Sequence, residues 1–275
     1  KVFDKRTGIK GMLALRKELS GSTFDVLFHL QWSMRASLLS RMVRAKRRIG
    51  FNKAFSREKQ HWFVNEYGVT PKSEHVLDSF LSISSVLGIT EVELPLTLSL
   101  PKKPATLPGH YVVINPCASK AERNWSISGY KAVIQWCSEQ GKTVVLTGGP
   151  SSLEREIAQQ LESEGVINLV GQTSLPQMLS VLAGAKWVLS PDTGPAHMAT
   201  LVGTPVIGLY AHSNPRRTGP YADLDRVVSV YDECAEKEYG KSVAELSWAA
   251  RVHDPKAMEH IAAEQVIAQL QTMAS

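Results

Sequence analysis

One short stretch combines an acid, two hydroxyl groups, a glycine and an imidazole: Ser190-Pro191-Asp192-Thr193-Gly194-Pro195-Ala196-His197. Asp192 and Thr193 are residue types that cap helices, and Pro195 suits a first helical turn. The free N–H groups and the positive dipole end of a helix starting here can bind a phosphate or a sugar hydroxyl. A well-capped helix start with a structural His197 explains the stretch equally well, so the motif alone leaves both interpretations open.

Three other loops in the same half of the chain combine small, polar and basic residues. The first carries Ser119, Lys120 and Arg123, whose two cations could contact a diphosphate. The other two are the turns Thr147-Gly148-Gly149-Pro150-Ser151 and Gly171-Gln172-Thr173-Ser174-Leu175. Glycines let the backbone approach a ligand closely, and the last turn also caps a helix. Trp125, which follows the first loop, is predicted to be a packing residue.

Other catalytic templates have little support in this sequence. Asp223-Leu224-Asp225 has the D-x-D pattern of manganese sites, but it follows Gly219 and Pro220, so a solvated turn is predicted. The nucleophile elbow, the phosphate-binding loop with its lysine, the dinucleotide fingerprint and the zinc-protease motif do not occur. The three cysteines form no C-x-x-C pair, which favours a reducing compartment. We therefore expect no metal and no cofactor.

The candidate loops follow strands in a repeating strand, turn and helix pattern. Short apolar or β-branched runs predict strands over 111–115, 142–146, 166–170, 187–190 and 205–210. Apolar residues at helical spacing predict helices over 130–140, 153–164, 175–185 and 196–202. This alternation predicts an α/β fold with a doubly wound parallel sheet, which binds ligands at the carboxyl ends of its strands. The four loops are therefore expected to meet at one edge.

The first part of the chain is less regular but of the same type. It is predicted to contain helices over 11–19, 33–46 and 73–87 and strands over 24–30 and 48–51. The proline-rich stretch 90–108 predicts a linker, which gives domains over 1–107 and 108–275. The last helix, predicted over 255–273, is an element that could pack back on the first domain. Since about two strands are too few for a stable sheet, we expect the front of the first domain to be missing.

Composition and charge agree with two globular domains. The chain has 275 residues, 43% of them hydrophobic, and a formal net charge of +5. Without an uncharged apolar run of about 18 residues or a signal-peptide core, membrane spanning and classical secretion are not expected. Nine basic residues stand against Glu58 alone between Arg35 and Lys59, and those from Arg35 to Arg48 are predicted to form a cationic helix face. This basic stretch implies an anionic partner, and the lack of interleaved aromatic residues for base stacking argues against nucleic acid.

The motifs together resemble glycosyltransferase family 9, the ADP-heptose lipopolysaccharide heptosyltransferases. The D-T-G-x-x-H turn from Asp192 to His197, the G-x-T-S-L turn, the G-G-P loop and the basic-x-Trp element starting at Arg123 occur in the order and spacing of that family. The resemblance covers 115–220 and extends more faintly through 24–51. It implies a GT-B architecture, in which two Rossmann-like domains face each other across a cleft and the C-terminal domain binds the activated sugar.

The resemblance also implies residue roles. Arg123 and Asp192 would be the catalytic residues, Arg123 neutralising the leaving diphosphate with help from Lys120, and Asp192 holding sugar hydroxyls. The remaining donor-binding residues would be Ser119, Lys120, Thr147, Gly148, Gly149, Thr173, Ser174, Leu175, Thr193, Gly194 and His197. Arg35, Arg41 and Arg44 would lie on the acceptor side. The family usually has lysine at the position of Arg123, and its aspartate base is expected in a segment preceding this sequence.

The implied reaction is inverting transfer of heptose from ADP-heptose to the inner core of a lipopolysaccharide precursor. It would require no metal and no nucleic acid, and it would take place in the cytoplasm, in peripheral contact with the inner face of the membrane. Two alternatives stay open. One is a GT-B transferase that uses another nucleotide sugar, and the other is a nucleotide-sugar or glycan-binding protein without turnover.

Overall fold

Two units make up the chain in the computed structural model, which describes residues 3–91 and 93–273. The first unit ends at residue 92 and the second begins at Glu93, whereas the predicted boundary lay at 107/108. The proline-rich segment belongs to the second unit because it bonds to two of its helices. Leu96 N donates to Leu201 O at 2.9 Å, and Ser180 Oγ donates to Pro101 O at 2.6 Å.

The first unit is a three-stranded parallel sheet with helices. Its strands pair in the order β1-β2-β3. Its elements are α1 (Gly8–Glu18), β1 (Phe24–Phe28), α2 (Met34–Met42), β2 (Ala45–Gly50), β3 (Glu66–Tyr67) and α3 (Val76–Ser84).

The predicted helix over 33–46 is wrong in its last four residues, 43–46. Ser33 caps α2 by accepting from Ala36 N at 3.3 Å, but the helix ends at Met42 and the chain is extended from Val43 onward. Residues 45–50 instead pair with β1, in a register that puts Phe24 opposite Ala45. Strand pairing with a distant segment therefore overrides the local helical spacing, and the basic residues do not share one helix face.

The second unit contains a six-stranded parallel sheet, which confirms the predicted α/β class. Its strand order is β6-β5-β4-β7-β8-β9, the order of a doubly wound dinucleotide-binding fold. Its strands are β4 (Val112–Ile114), β5 (Val144–Leu146), β6 (Val166–Asn168), β7 (Val188–Pro191), β8 (Val206–Tyr210) and β9 (Val228–Ser229). Its helices are α4 (Ile127–Glu139), α5 (Ser152–Leu161), α6 (Leu175–Ala183), α7 (Gly194–Val202), α8 (Pro215–Thr218), α9 (Tyr231–Tyr239) and α10 (Ala263–Thr272).

The central strands are buried on both faces, which is why they are short continuous apolar runs. Ile114 and Leu146 face a core that α4, α5, α9 and α10 complete, whereas Val113 and Val145 face a core completed by α6 and α7. Such two-sided burial is typical of parallel sheets.

The last helix is shorter than predicted and packs within the second unit. A 3-10 turn, Ala257–His260, precedes α10, which contacts α4, β8 and β9 and buries Val266 and Leu270. Among the described residues, no helix combines the length and the apolar character needed to span a membrane.

Candidate functional site

The predicted site residues lie where the strand order of the second sheet reverses. β4 is hydrogen-bonded to β5 on one side and to β7 on the other, and Ile114 lies opposite Leu189 in that second pair. Ligands of doubly wound sheets bind at such a switch point, outside the carboxyl ends of the strands. The loop after β4 carries Arg123, and the loop after β7 carries Asp192.

A cleft of about 590 Å³ opens at this edge of the sheet. Its volume lies in the range of about 300–1,000 Å³ found for small-molecule sites. Eight of the predicted binding residues line it: Ser119, Gly148, Gly149, Thr173, Ser174, Leu175, Thr193 and Gly194. Four separate loops thus converge on one cavity, as their positions after neighbouring strands predict.

Arg123 and Asp192 are in direct contact beside this cleft. Arg123 Nη1 lies 3.3 Å from Asp192 Oδ2 and also donates to the carbonyl of Asp192 at 3.4 Å. Both side chains are about 15% exposed, so the ion pair is only partly screened by water. The Nη2 group of Arg123 makes no hydrogen bond within the described ranges, which leaves a donor for a bound anion.

The start of α7 differs from the predicted capping arrangement. Thr193 occupies the cap position, but its side chain makes no capping hydrogen bond, and the carboxylate of Asp192 binds Arg123 instead. The N–H groups of the first turn are therefore not used by a capping side chain. Such groups favour an anion at the helix N-terminus.

Three predicted binding residues do not line the cleft. Lys120 is exposed and forms an ion pair with Glu122 at 3.3 Å, which lowers the pKa of that carboxyl. Thr147 is completely buried, and His197 is exposed on the first turn of α7. Trp125 is a packing residue, as predicted: its ring is buried and its Nε1 donates to Ile261 O at 2.9 Å.

Glu154 is a cleft residue that the sequence analysis missed. It accepts from Gly149 N at 2.7 Å and forms a capping box with Ser151 at the start of α5. A Cβ atom at Gly149 would lie 3.0 Å from Glu154 Oε2. The absence of a side chain at Gly149 therefore makes room for the Glu154 carboxylate and not only for a ligand. The S-x-x-E spacing was a signal that could have identified this cap.

Ser213 and Tyr210, from β8 and the loop after it, were also missed. Ser213 Oγ donates to Asp192 Oδ2 at 2.6 Å, and both atoms belong to largely buried side chains. The phenol of Tyr210 donates to Thr218 O at 2.8 Å, and burial together with the Asp192 charge raises its pKa well above the usual value. Ser213 lies 21 residues from its partner, so no local pattern indicates this contact.

Several buried polar atoms at this edge have no hydrogen-bond partner within residues 3–91 and 93–273. They are Arg123 Nε, Thr147 Oγ1, Thr173 Oγ1 and His212 Nε2. A buried polar group without a partner is costly, so such groups are rare unless a ligand or water satisfies them. Their concentration here indicates an edge that is completed by something other than the chain.

The surface of the cleft combines three kinds of chemistry. Leu153 and Leu175 are 38% and 73% exposed and offer apolar area to a planar group. Thr173, Ser174 and the glycine backbone offer hydrogen bonds, and Arg123, beside the cleft, adds a positive charge. Cys117 also lines the cleft, but burial raises its pKa to about 12, so the thiol stays protonated and is a poor nucleophile.

The D-x-D segment is not the solvated turn that was predicted. It lies at a 3-10 turn, Leu224–Arg226, but Asp223 is buried and forms an ion pair with Arg226. Burial raises the pKa of Asp223, and Arg226 opposes that shift. Among the described residues no group of three or more histidine, cysteine, aspartate or glutamate side chains could hold a metal ion.

The basic residues of the first unit are divided among several partners. Arg35 and Arg41 are exposed on α2, whereas Arg44 lies beyond the helix and donates to Ser20 O at 3.0 Å. In β2, Lys46 pairs with Asp25 at 2.8 Å and Arg47 pairs with Glu66 at 2.7 Å. The predicted cationic helix face is thus reduced to two exposed arginines on α2.

Comparisons with known proteins identify the family of the chain. Residues 12–248 match the family described as glycosyltransferase family 9 (heptosyltransferase). The lipopolysaccharide core heptosyltransferase OpsX of Haemophilus influenzae is 40% identical, and the match covers 98% of this chain and 81% of that protein.

Solved structures show the same fold. The structure of E. coli heptosyltransferase WaaC with ADP has a TM-score of 0.72 at 19% identity, covering 98% of this chain and 79% of that chain. A family 9 glycosyltransferase from Veillonella parvula has a TM-score of 0.70 at 20% identity with the same coverage. The predicted resemblance is confirmed: the chain belongs to glycosyltransferase family 9.

Proposed function

We propose that this protein transfers heptose from ADP-heptose to the core of a lipopolysaccharide acceptor, with inversion at the anomeric carbon. Membership of the heptosyltransferase family and 40% identity to a lipopolysaccharide core heptosyltransferase support the reaction class. The observation that carries the proposal is the Arg123–Asp192 pair, 3.3 Å apart, beside a cleft of about 590 Å³ at the switch point of the second sheet.

In this proposal the second unit binds the donor. The exposed leucines, Leu153 and Leu175, contact the nucleobase, and the hydroxyl groups and backbone of the glycine loop bind the sugar and ribose. The diphosphate lies near Arg123 and the first turn of α7, where a guanidinium and the helix N–H groups both favour negative charge. The lining of the cleft contains no lysine or arginine among the described residues, so Arg123 beside the cleft supplies the positive charge for the diphosphate.

The chemistry follows from charge. An acceptor hydroxyl forms a new C–O bond at the anomeric carbon while the bond to the diphosphate oxygen breaks, and ADP leaves with the electron pair. The acceptor proton passes to a base. Negative charge develops on the leaving diphosphate, so Arg123 binds the transition state more tightly than the ground state and accelerates the reaction. Asp192 accepts hydrogen bonds from the sugar hydroxyls and fixes the sugar for in-line attack.

The first unit would bind the acceptor. Arg35 and Arg41 are exposed on α2, and neither forms an ion pair within the described part of the chain. The phosphate and carboxylate groups of a lipopolysaccharide core are suitable partners for guanidinium groups. The same arginines would contact the anionic surface of the inner membrane from the cytoplasmic side, where the glycolipid acceptor is anchored.

The test is to add ADP-heptose and a heptose-deficient glycolipid to the purified protein and to measure the release of ADP. ADP-glucose and UDP-sugars serve as competing donors. We expect ADP release only with ADP-heptose and acceptor together. Turnover with another nucleotide sugar would support the broader transferase alternative, and binding of ADP-heptose without transfer would support the binding-protein alternative.

EDTA provides a second arm of this test. Arg123 and the α7 amides supply the positive charge, and Asp223 of the D-x-D segment is already paired with Arg226, so we expect EDTA to leave the rate unchanged. A loss of activity that Mn²⁺ restores would contradict this assignment of roles.

A further inference from the structure

We infer that Ser213 is a positioning residue, which holds the Asp192 carboxylate so that both Asp192 and Arg123 remain available to the donor. The inference rests on the proposed function. Ser213 Oγ donates to Asp192 Oδ2 at 2.6 Å, in the range of short charge-assisted hydrogen bonds. Ser213 itself does not line the cleft, so it acts through Asp192.

Two contacts of the Asp192 carboxylate end on the same oxygen, because Ser213 Oγ and Arg123 Nη1 both approach Oδ2. The buried phenol of Tyr210 also interacts with this carboxylate. A carboxylate has about four acceptor sites on its two oxygens, so these contacts leave acceptor capacity for a ligand hydroxyl. The hydrogen bond from Ser213 therefore fixes the orientation in which the carboxylate meets the ligand.

The loop that carries Ser213 is held firmly. The four residues from Ala211 to Asn214 are all buried, although three of them are polar. His212 exchanges two hydrogen bonds with Val252: its Nδ1 lies 2.9 Å from Val252 O, and its carbonyl accepts from Val252 N at 3.1 Å. Ser213 also forms an isolated antiparallel bridge with Arg251. A loop with this much fixed bonding cannot follow the carboxylate if Asp192 moves.

The geometry of the Arg123–Asp192 pair shows what Ser213 prevents. Arg123 Nη1 lies 3.3 Å from Asp192 Oδ2, a longer contact than the two 2.7 Å hydrogen bonds of the two-pronged Arg47–Glu66 pair. An arginine and a carboxylate that are free to adjust prefer the two-pronged arrangement, which is stronger. Without Ser213, Asp192 would rotate to bind both guanidinium nitrogens. That rotation would withdraw Arg123 from the diphosphate and Asp192 from the sugar.

The experiment compares Ser213→Ala with a matched serine. Ser180→Ala removes a hydroxyl that is also buried and that also donates at 2.6 Å, but to the Pro101 carbonyl outside the cleft. We expect Ser213→Ala to weaken ADP binding and to lower kcat by about ten- to a hundredfold each, the effect of losing a hydrogen bond to a charged group. Ser180→Ala should lower the thermal midpoint similarly and leave both quantities unchanged. Ser213→Thr, which keeps the hydroxyl, should restore them.

A double-mutant cycle separates positioning from a general structural effect. In the Asp192→Ala background Ser213 has no carboxylate to hold, so Ser213→Ala should change ADP affinity by less than about twofold. Calorimetric ADP titration remains measurable in variants without activity. If Ser213→Ala does not fold, Ser213→Cys keeps the size with a weaker donor and should show an intermediate loss.

Each outcome has a distinct meaning. A wild-type protein that neither binds ADP nor releases it from ADP-heptose overturns the proposed function. A functional wild type with Ser213→Ala equal to Ser180→Ala overturns the positioning role alone. A full loss on Ser213→Ala in the Asp192→Ala background also overturns it, because the effect would not pass through Asp192.

Discussion

In the first unit a cluster of buried polar side chains around Gln60 and His29 is joined by internal hydrogen bonds, whereas in the second unit several buried polar atoms at the carboxyl edge have no partner among the described residues. Ile49, Phe51 and Ile83 form a fully buried apolar cluster in the first unit. Beside them Gln60, itself completely buried, bonds to both the ring and the carbonyl of His29.

The second unit has the reverse arrangement. Its sheet is apolar on both faces, and several polar atoms without a partner among the described residues, such as Arg123 Nε and Thr173 Oγ1, lie in the loops after the strands, while one, the Tyr130 phenol, lies on α4. An apolar scaffold can tolerate unpartnered groups at one edge because it does not depend on them for stability. Buried polar groups that are hydrogen-bonded within the chain therefore have a structural role, whereas buried polar groups at the carboxyl edge without such a partner are candidates for hydrogen bonds to a ligand.

The largest expected effect is the loss of unfolding free energy when Gln60 is replaced. Gln60→Leu has a similar volume but removes the partner of three groups on buried residues, Phe51 N, His29 Nδ1 and His29 O, and of the more exposed Gln31 O. Because each unsatisfied group costs about 1–3 kcal/mol, we expect the free energy of unfolding to fall by at least about 3 kcal/mol. Urea denaturation measures it, with the exposed Gln159→Leu as a control near zero. A loss at Gln60 no greater than at Gln159 would remove the contrast between the two units.

The next largest effect is the loss of turnover when Arg123 is replaced. Arg123→Ala removes a charge-assisted contact worth about 1.5–3 kcal/mol, so turnover should fall roughly ten- to more than a hundredfold with little change in stability. Lys120→Ala is the control, since Lys120 is an exposed cation of the same loop that pairs with Glu122, whereas Arg123 pairs with Asp192. ADP release at saturating donor measures both variants. An equal loss at the two positions would show that the loop as a whole, and not Arg123, carries the charge.

The sequence predicted the second unit well because its signals are local. Runs such as 144–146 are apolar throughout, and each candidate loop follows its strand in the chain, so the switch-point cluster needed no knowledge of distant contacts. The helix α9 was missed because only Tyr231 and Ala235 are buried in an otherwise polar sequence.

The errors arise where distant parts of the chain interact. The cations from Arg44 to Arg48 continue the helical spacing of α2, and only the pairing of β2 with β1 makes them extended. Ser213 could not be found because its importance depends on Asp192, which belongs to another loop. Lys120 and Thr147 had the right types in the right loops, but residue type alone does not tell which side chains reach a cavity.

A smaller effect separates two buried hydroxyls of the second unit. Thr147 Oγ1 and Thr173 Oγ1 both have no partner within the described ranges, but only Thr173 lines the cleft. Replacing either by valine should change the free energy of unfolding by no more than about 0.5 kcal/mol, because no hydrogen bond is lost. ADP-heptose affinity should fall about two- to tenfold for Thr173→Val and stay unchanged for Thr147→Val. A large destabilisation by either substitution would mean that the chain itself satisfies the hydroxyl.

The smallest effect concerns the ion pairs of β2. Arg47 donates two hydrogen bonds of 2.7 Å to Glu66, whereas Lys46 makes one contact with Asp25. The side chains of Lys46 and Asp25 are both at least 70% exposed. The hydrogen bonds from Arg47 lower the pKa of Glu66 below its usual value. A carboxyl whose pKa is lower in the folded state stabilises the protein above its unfolded pKa, about 4.3 for glutamate, and loses that contribution as the pH falls through the folded pKa. Glu66→Gln should therefore reduce the unfolding free energy at pH 7 by a small amount, and this loss should shrink as the pH falls below about 4.3.

Asp25→Asn should reduce the unfolding free energy at pH 7 by less, because a single contact in water is screened and costs side-chain entropy. Urea denaturation of the three proteins between pH 7 and pH 3 makes the comparison. Equal losses of unfolding free energy for Glu66→Gln and Asp25→Asn would mean that the two-pronged geometry contributes nothing here. Arg47 would then be as available to an anionic ligand as the exposed Arg35 and Arg41.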